Sequence, residues 1–291
     1  MHSVNVSAAE QEVGALPIFR ALPSPLAVRD AQELMTYPFF ALAKSRRTEP
    51  ISFRTADLSI RVEGTAEHGL ATIWDADVLI WATSQVVEAN DTRLAASRRL
   101  AATPWEILTF LRRGTSARDY LRLKAALDRL QSTSIATSIR QAQQRRLHRF
   151  SWLSEWKERA DDRGRPQGIE LILPDWFYAG ISDSTRVLTI DARYFDLTGG
   201  IERWLYRLLR KHAGVQANGW CFDFAQLHRR SGSLARPADF ALDLRRIVER
   251  QSLPGYRVSI VRRSSVEALI GRVEPAVGRG VTAHRQSVDK T

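Results

Sequence analysis

The feature that most constrains this chain is an order of elements written twice. Thr103-Pro104-Trp105-Glu106 sets a capping threonine before a first-turn proline, and the helix it starts runs through Ile107, Leu108 and Leu111 to a stop at Arg113-Gly114. Ser116 caps a second helix reaching about Gln131, on which Tyr120, Leu123, Leu127 and Leu130 form one apolar stripe. Ser134 to Arg140 alternates as a strand. Phe150 to Trp156 and Ile169 to Leu173, joined through the polar turn Asp161 to Pro166, then read as a hairpin. About 120 residues on (240 − 120) the order returns, with Asp239-Phe240 beside Asp119-Tyr120 and Arg229-Arg-Ser-Gly232 beside Arg112-Arg-Gly114. There Ile201 to Arg210 is an amphipathic helix, Trp220 to Phe224 a strand and Phe224 to Arg230 a short helix. A helix from Pro237 buries Phe240, Leu244 and Ile247, and Tyr256 to Val261 is a strand. Helix, tight turn, helix and basic hairpin is the order of a winged helix-turn-helix. The expected fold is therefore α+β, two tandem winged helix-turn-helix domains, the first with an added N-terminal β-sheet segment.

That segment contains Ile51 to Phe53, Leu58 to Val62 and Ala71 to Trp74, read as strands, after which Asp75-Ala-Asp77 offers caps for a helix through Val78, Leu79, Trp81, Val86 and Val87. The expected divisions are a flexible leader over 1–29, a first winged-helix domain over 30–188, a second over 189–275 and a disordered tail over 276–291. The leader has no cation before Arg20 and no apolar core, so it does not read as a secretory signal.

The 291 residues carry 43 Lys+Arg against 32 Asp+Glu, a formal charge of +11, and only five of the cations are lysines. Arginine pairs bidentately with phosphate and with guanine edges, although a GC-rich genome also raises Arg over Lys. The single Cys221 excludes thiolate zinc sites and internal disulfides. No lysine follows a glycine, so the phosphate loop of nucleotide hydrolases is absent, and the six histidines form neither an HxH pair nor an HExxH helix. Nor does any histidine have an arginine three residues on, so Tyr120 and Tyr206 read as core residues rather than nucleophiles. No apolar run reaches the roughly 18 residues of a membrane span. The expectation is a non-enzymatic, cytoplasmic protein with no cofactor, no metal site and no membrane contact.

On the first candidate recognition helix Arg118, Arg122 and Arg129 lie away from the apolar stripe, with Leu121 and Ala125 between them. A helix fits the major groove, where arginines reach base edges and small apolar groups meet thymine methyls. A solvated basic face has the same look, but an apolar Leu121 in its middle favours DNA. On the second helix Leu242, Arg245 and Arg246 face outward, and Glu249 is expected to pair with Arg245 one turn earlier. Ser116, Ser233 and Arg236 at the helix starts join this candidate set. Arg140, Arg145, Arg146 and Arg149 in the first domain, and Arg257, Arg262 and Arg263 in the second, suit phosphate contact from the wings. The eight tryptophans are expected mostly in the core rather than as base-stacking platforms.

Several longer passages resemble the plasmid replication initiator protein A family of tandem winged-helix initiators. They include Leu34-Met-Thr-Tyr-Pro-Phe-Phe-Ala-Leu-Ala-Lys44, His68-Gly-Leu-Ala-Thr-Ile-Trp-Asp-Ala-Asp77, Glu170-Leu-Ile-Leu-Pro-Asp-Trp-Phe-Tyr-Ala-Gly180 and Leu197-Thr-Gly-Gly-Ile-Glu-Arg-Trp-Leu-Tyr206. The resemblance covers roughly Asp30 to Arg263. It implies binding to repeated double-stranded origin sequences (iterons), help in opening the adjacent DNA, and recruitment of the host initiator and replicative helicase. It also implies a monomer–dimer equilibrium in which the dimer represses its own promoter. A transcriptional repressor using the same helices is the rival reading, and an unconventional nuclease or recombinase is a second.

Overall fold

Four short strands precede the first long helix, and in Leu58 to Val62 the apolar residues alternate instead of recurring at helical spacing. The computed structural model describes residues 16–140, 147–214, 216, 219–263 and 266–274. Ile18–Arg20 (β1), Arg29–Ala31 (β2), the short helix Gln32–Thr36 (α1), Ile51–Arg54 (β3) and Ser59–Glu63 (β4) come first. Ala76–Asp91 (α2) is buried on almost every side, as befits a helix with few charges. Then follow Arg99–Ala102 (β5), Pro104–Phe110 (α3), Ala117–Ser132 (α4), Ser134–Thr137 (β6), His148–Ser151 (β7), Glu155–Ala160 (β8) and Pro166–Ile172 (β9). Asp175–Ser182 (α5), Val187–Thr189 (β10) and Gly200–His212 (α6) lead to Trp220–Asp223 (β11) and Phe224–Ser231 (α7). Pro237–Arg250 (α8), Tyr256–Arg263 (β12) and Val266–Val273 (β13) complete the described elements.

The duplication is visible in the sheets. β5, β9 and β8 lie side by side in that order, so the last strand inserts between the first two, and β11, β13 and β12 repeat the arrangement. In each half the helix pair, α3–α4 or α7–α8, falls between the first strand and the hairpin. A third sheet, β3-β4-β6-β7, belongs to the first half alone and interrupts it between α4 and β8.

Several expectations need correction. The leader is not free along its length, because β1 pairs in parallel with β5. The division at 188/189 cuts through β10, which pairs antiparallel with β2. The buried apolar residues of both halves form one continuous cluster, from Phe19 to Leu269. Ala71 to Trp74 is not a strand: Thr72 makes a single bridge to Ala41, and its N–H and hydroxyl donate to the Asp75 carboxylate at 2.7 and 3.0 Å. Asp75 stands at the N-cap position of α2 yet its side chain caps nothing there. The segment 150–156 splits between β7 and β8, which lie in different sheets. The tail from 276 lies outside the described residues.

Buried ion pairs tie the halves together. Arg207 of α6 makes two hydrogen bonds to Asp30 of β2, at 2.7 and 2.9 Å, with both side chains almost wholly enclosed. Asp77 of α2 accepts from Arg203 of α6 at 2.8 and 2.9 Å and from Arg113, just beyond α3, at 2.6 Å. Charges this deep persist only when paired and hydrogen-bonded on most sides, and Arg203 also donates to the carbonyls of Phe195 and Leu197. Burial, and then the Asp77 carboxylate, push the neighbouring Tyr194 phenol well above its ordinary value.

Candidate nucleic-acid interface

The first cationic face is built by α4. Its start is set by a capping box: Ser116 Oγ accepts from the Asp119 N–H while the Asp119 carboxylate accepts from the Ser116 N–H and hydroxyl, satisfying groups the helix leaves orphaned. The hydroxyl bond holds the half-buried Asp119 carboxyl below the usual carboxylate range, and the Arg122 guanidinium adds to this. Leu123, Ala126, Leu127 and Leu130 are buried, which turns Arg118, Leu121 and Arg122 to solvent. Leu121 is 66% exposed, more than any other large apolar side chain among the described residues. Half-buried Ala125 and Arg122 line a cleft of about 770 Å³ whose other wall carries Lys44, Arg46 and His68.

Two of the expected readers and positioners serve the fold instead. Arg129 turns back to form a two-pronged pair with Asp75, at 2.7 and 2.8 Å, because the buried Asp75 carboxylate lies under the last turns of α4. Arg140, with a positive φ of 66°, pairs with Glu33, donates to the Trp176 carbonyl and stacks 4.2 Å from the Trp176 ring centroid. Arg149 is exposed, but on the edge strand β7 and away from the β8–β9 hairpin. Arg145 and Arg146, and the side chain of Arg263, lie outside the described residues.

The tip of the β8–β9 hairpin carries two arginines that sequence reasoning passed over. The Asp161 carboxylate accepts from the N–H groups of Arg163 and Arg165 at 3.0 and 2.8 Å, and Gly164 supplies the left-handed residue the turn needs. Both guanidinium groups are exposed with no ion pair among the described residues. Further down the hairpin the cations are taken: Glu170 meets Arg99 at 2.7 Å and Lys157 at 3.3 Å, and Lys124 meets Glu158. Burial alone would raise Glu170, but Arg99 and Lys157 outweigh it and hold the carboxyl below its ordinary range. The Asp-Asp-Arg-Gly-Arg-Pro run was the available signal for this tip.

In the second half α8 buries Phe240, Leu244 and Ile247 and leaves Leu242 44% exposed. Arg245 reaches Glu267 on β13 at 2.5 Å rather than Glu249, and Arg246 pairs with Asp243 at 3.3 Å, so the expected Glu249–Arg245 contact is replaced. Hydrogen bonds from Arg245 and then Arg262 hold the Glu267 carboxyl below its usual range. Arg236, which lacks a capping side chain, pairs with Asp239, and Ser233 Oγ accepts from the Ala235 N–H in the turn ahead of α8. Arg257 and Arg262 are about three-quarters exposed, near Glu274 and Glu267. Among the tryptophans Trp81, Trp152, Trp176 and Trp204 are buried, while Trp105 and Trp220 are exposed.

Among the described residues no group of three or more His, Cys, Asp or Glu is placed to hold a metal ion, and no helix is long and apolar enough to cross a membrane. The model of the family Replication initiator protein A matches residues 29–258. A protein of Wigglesworthia glossinidia brevipalpis named "Putative replication protein" is 30% identical over 228 residues, 77% of this chain and 82% of that one. Crystal structures of domains 2 and 3 of RctB superpose with TM-scores of 0.60 and 0.55. They cover 83% and 84% of this chain and 98% and 97% of theirs, at 12% and 13% identity, so that likeness is one of mixed α+β fold. The family match runs from β2 into the start of β12, taking in the first copy of the duplicated unit and the helix pair of the second, and the chain belongs to the replication initiator protein A family.

Proposed function

We propose that each duplicated unit is a winged helix-turn-helix and that the chain initiates replication by binding double-stranded origin DNA through both. The observation that carries this reading is the twofold sheet order, first strand, third, second, each time with a helix pair whose second member turns arginine and leucine to solvent. In this reading α4 and α8 enter successive major grooves on one face of the duplex, with Arg118, Leu121, Arg122, Leu242 and Arg246 toward the bases. Arg163, Arg165, Arg257 and Arg262 take phosphate. The targets are repeated plasmid iterons. The bound chain promotes opening of adjacent DNA and recruits the host initiator and helicase without catalysing a covalent step, and a monomer–dimer equilibrium governs its activity.

Footprinting on the cognate origin tests the reading. Two protected patches about one helical turn apart are expected, each lost separately when α4 or α8 is altered. Protection of a single promoter operator with no repeated sites would favour a repressor. Nicked or covalently bound product from supercoiled origin DNA with Mg²⁺ would overturn the non-enzymatic part.

A further inference from the structure

A second basic groove lies where the two halves meet, at a place neither helix face reaches. It has a volume of about 750 Å³, with β3 and the chain leading into it on one side and the last turn of α7 and the α7–α8 turn on the other. Four arginines line it, Arg47, Arg54, Arg229 and Arg230, against one carboxylate, that of Glu49.

The four do different jobs. Half-buried Arg47 donates to the carbonyls of Glu49 at 2.9 Å, Pro50 at 3.3 Å and Gly232 at 2.6 Å, so it fastens the α7–α8 turn to the strand of the other half. Gly232, with φ of 64°, closes α7, and a Cβ there would stand 2.9 Å from Pro38 and 3.2 Å from Ile51. The two walls of the groove are therefore joined by the Arg47 side chain and by close packing at Gly232. Arg54, Arg229 and Arg230 line it with no ion pair among the described residues, whereas Arg236 at the start of α8 and Arg245 and Arg246 on it each have an acid. Arg230 is also half-buried, and its charge helps depress the imidazole of His212. A guanidinium kept from water without a counter-charge is unfavourable unless an anion comes from outside, and phosphate oxygens suit the guanidinium fork.

We infer that this groove is a phosphate-backbone site shared by both halves, in which Arg54 from β3 and Arg229 and Arg230 from α7 grip one strand of duplex DNA. The inference rests on the duplex-binding reading above. The site lies beside the turn that delivers α8, so it fixes the angle at which the second unit approaches the groove it reads.

Fluorescence anisotropy with the full chain tests it, using an origin duplex and a scrambled duplex of equal length across a salt series. For Arg54→Gln/Arg229→Gln the slope of log affinity against log salt is expected to become shallower by about two. Binding at ~100 mM salt should fall roughly 10- to 100-fold, alike on both duplexes, since each phosphate contact contributes a slope of about 0.9. Both side chains are exposed, so the thermal melt should not move. Arg54→Lys/Arg229→Lys keeps the charge and should restore the slope. An unchanged slope in the glutamine variant, or no recovery with lysine, overturns the groove while duplex binding stands. A parent chain that binds neither duplex at ~50 mM salt overturns the duplex-binding reading itself.

Discussion

In the first half Arg129 leaves the outward side of α4 to clasp Asp75, 54 residues away in sequence, where the acid is 3% exposed. In the second half Arg245 leaves α8 only to meet Glu267 on the hairpin of the same unit, with the pair 40% and 21% exposed. The first half supplies the acids of the long-range, enclosed pairs and draws arginines from both halves: Arg113 and Arg203 to Asp77, Arg207 to Asp30 and Arg140 to Glu33. Beyond α6, the second half keeps its pairs short-range and wet. An arginine on an outward helical position thus stays free for an outside ligand only if no buried acid lies within its reach, and the helix with fewer such acids near it keeps more of its cations at the surface.

The largest test of this contrast sets Asp77 against Glu267. Asp77→Ala strands two arginines, one of them 3% exposed, and should lower unfolding free energy by about 3–5 kcal/mol in urea titration followed by tryptophan fluorescence. Glu267→Gln should move the midpoint far less; equal shifts would erase the distinction between the halves. Next in size, Arg122→Ala and Arg246→Ala should each cost about 1–3 kcal/mol of affinity for the native site and little for a scrambled one. If Arg246→Ala weakens both duplexes alike, α8 positions and only α4 reads. Below that come the caps. Ser116→Ala removes half of a capping box and should cost about 1 kcal/mol of stability, against less than about 0.5 for the 83% exposed Arg236→Ala.

A separate test concerns acid. Burial, then Arg230 and Lys211, push the His212 imidazole down to about 4 from an ordinary 6.5. The unfolded chain therefore takes up a proton near pH 6.5 that the folded chain refuses until near pH 4, so stability is full above that window and falls as pH drops through it. His212→Gln should flatten the pH dependence of the melting temperature between those limits. An unaltered slope would mean another group sets it.

Much of the local structure was legible in the sequence. Thr103 and Ser116 cap as their spacing with Glu106 and Asp119 required, and the stripe of Leu123, Leu127 and Leu130 turned α4 the expected way. Long-range pairing was not legible. Nothing in a 3.6-residue period says that Arg129 will find Asp75, or that Arg140 will find Glu33 across 107 positions. The insertion of β6 and β7 between α4 and the hairpin misled for a related reason. Alternation marks a strand without naming its sheet, so arginines near β6 and β7 stood in for the true hairpin tip at Arg163 and Arg165.

Asp77 has an evolutionary consequence as well as a mechanical one. One enclosed carboxylate satisfies two arginines from different halves, Arg113 beside the α3–α4 turn and Arg203 in α6. A lineage that lost the acid alone would bury two uncompensated charges, and one that lost either arginine would leave the acid underpaired. Among relatives the three positions should therefore covary as a unit, changing jointly to apolar residues or staying charged together, while the solvent-facing Arg118 and Arg122 are under no such constraint from the fold.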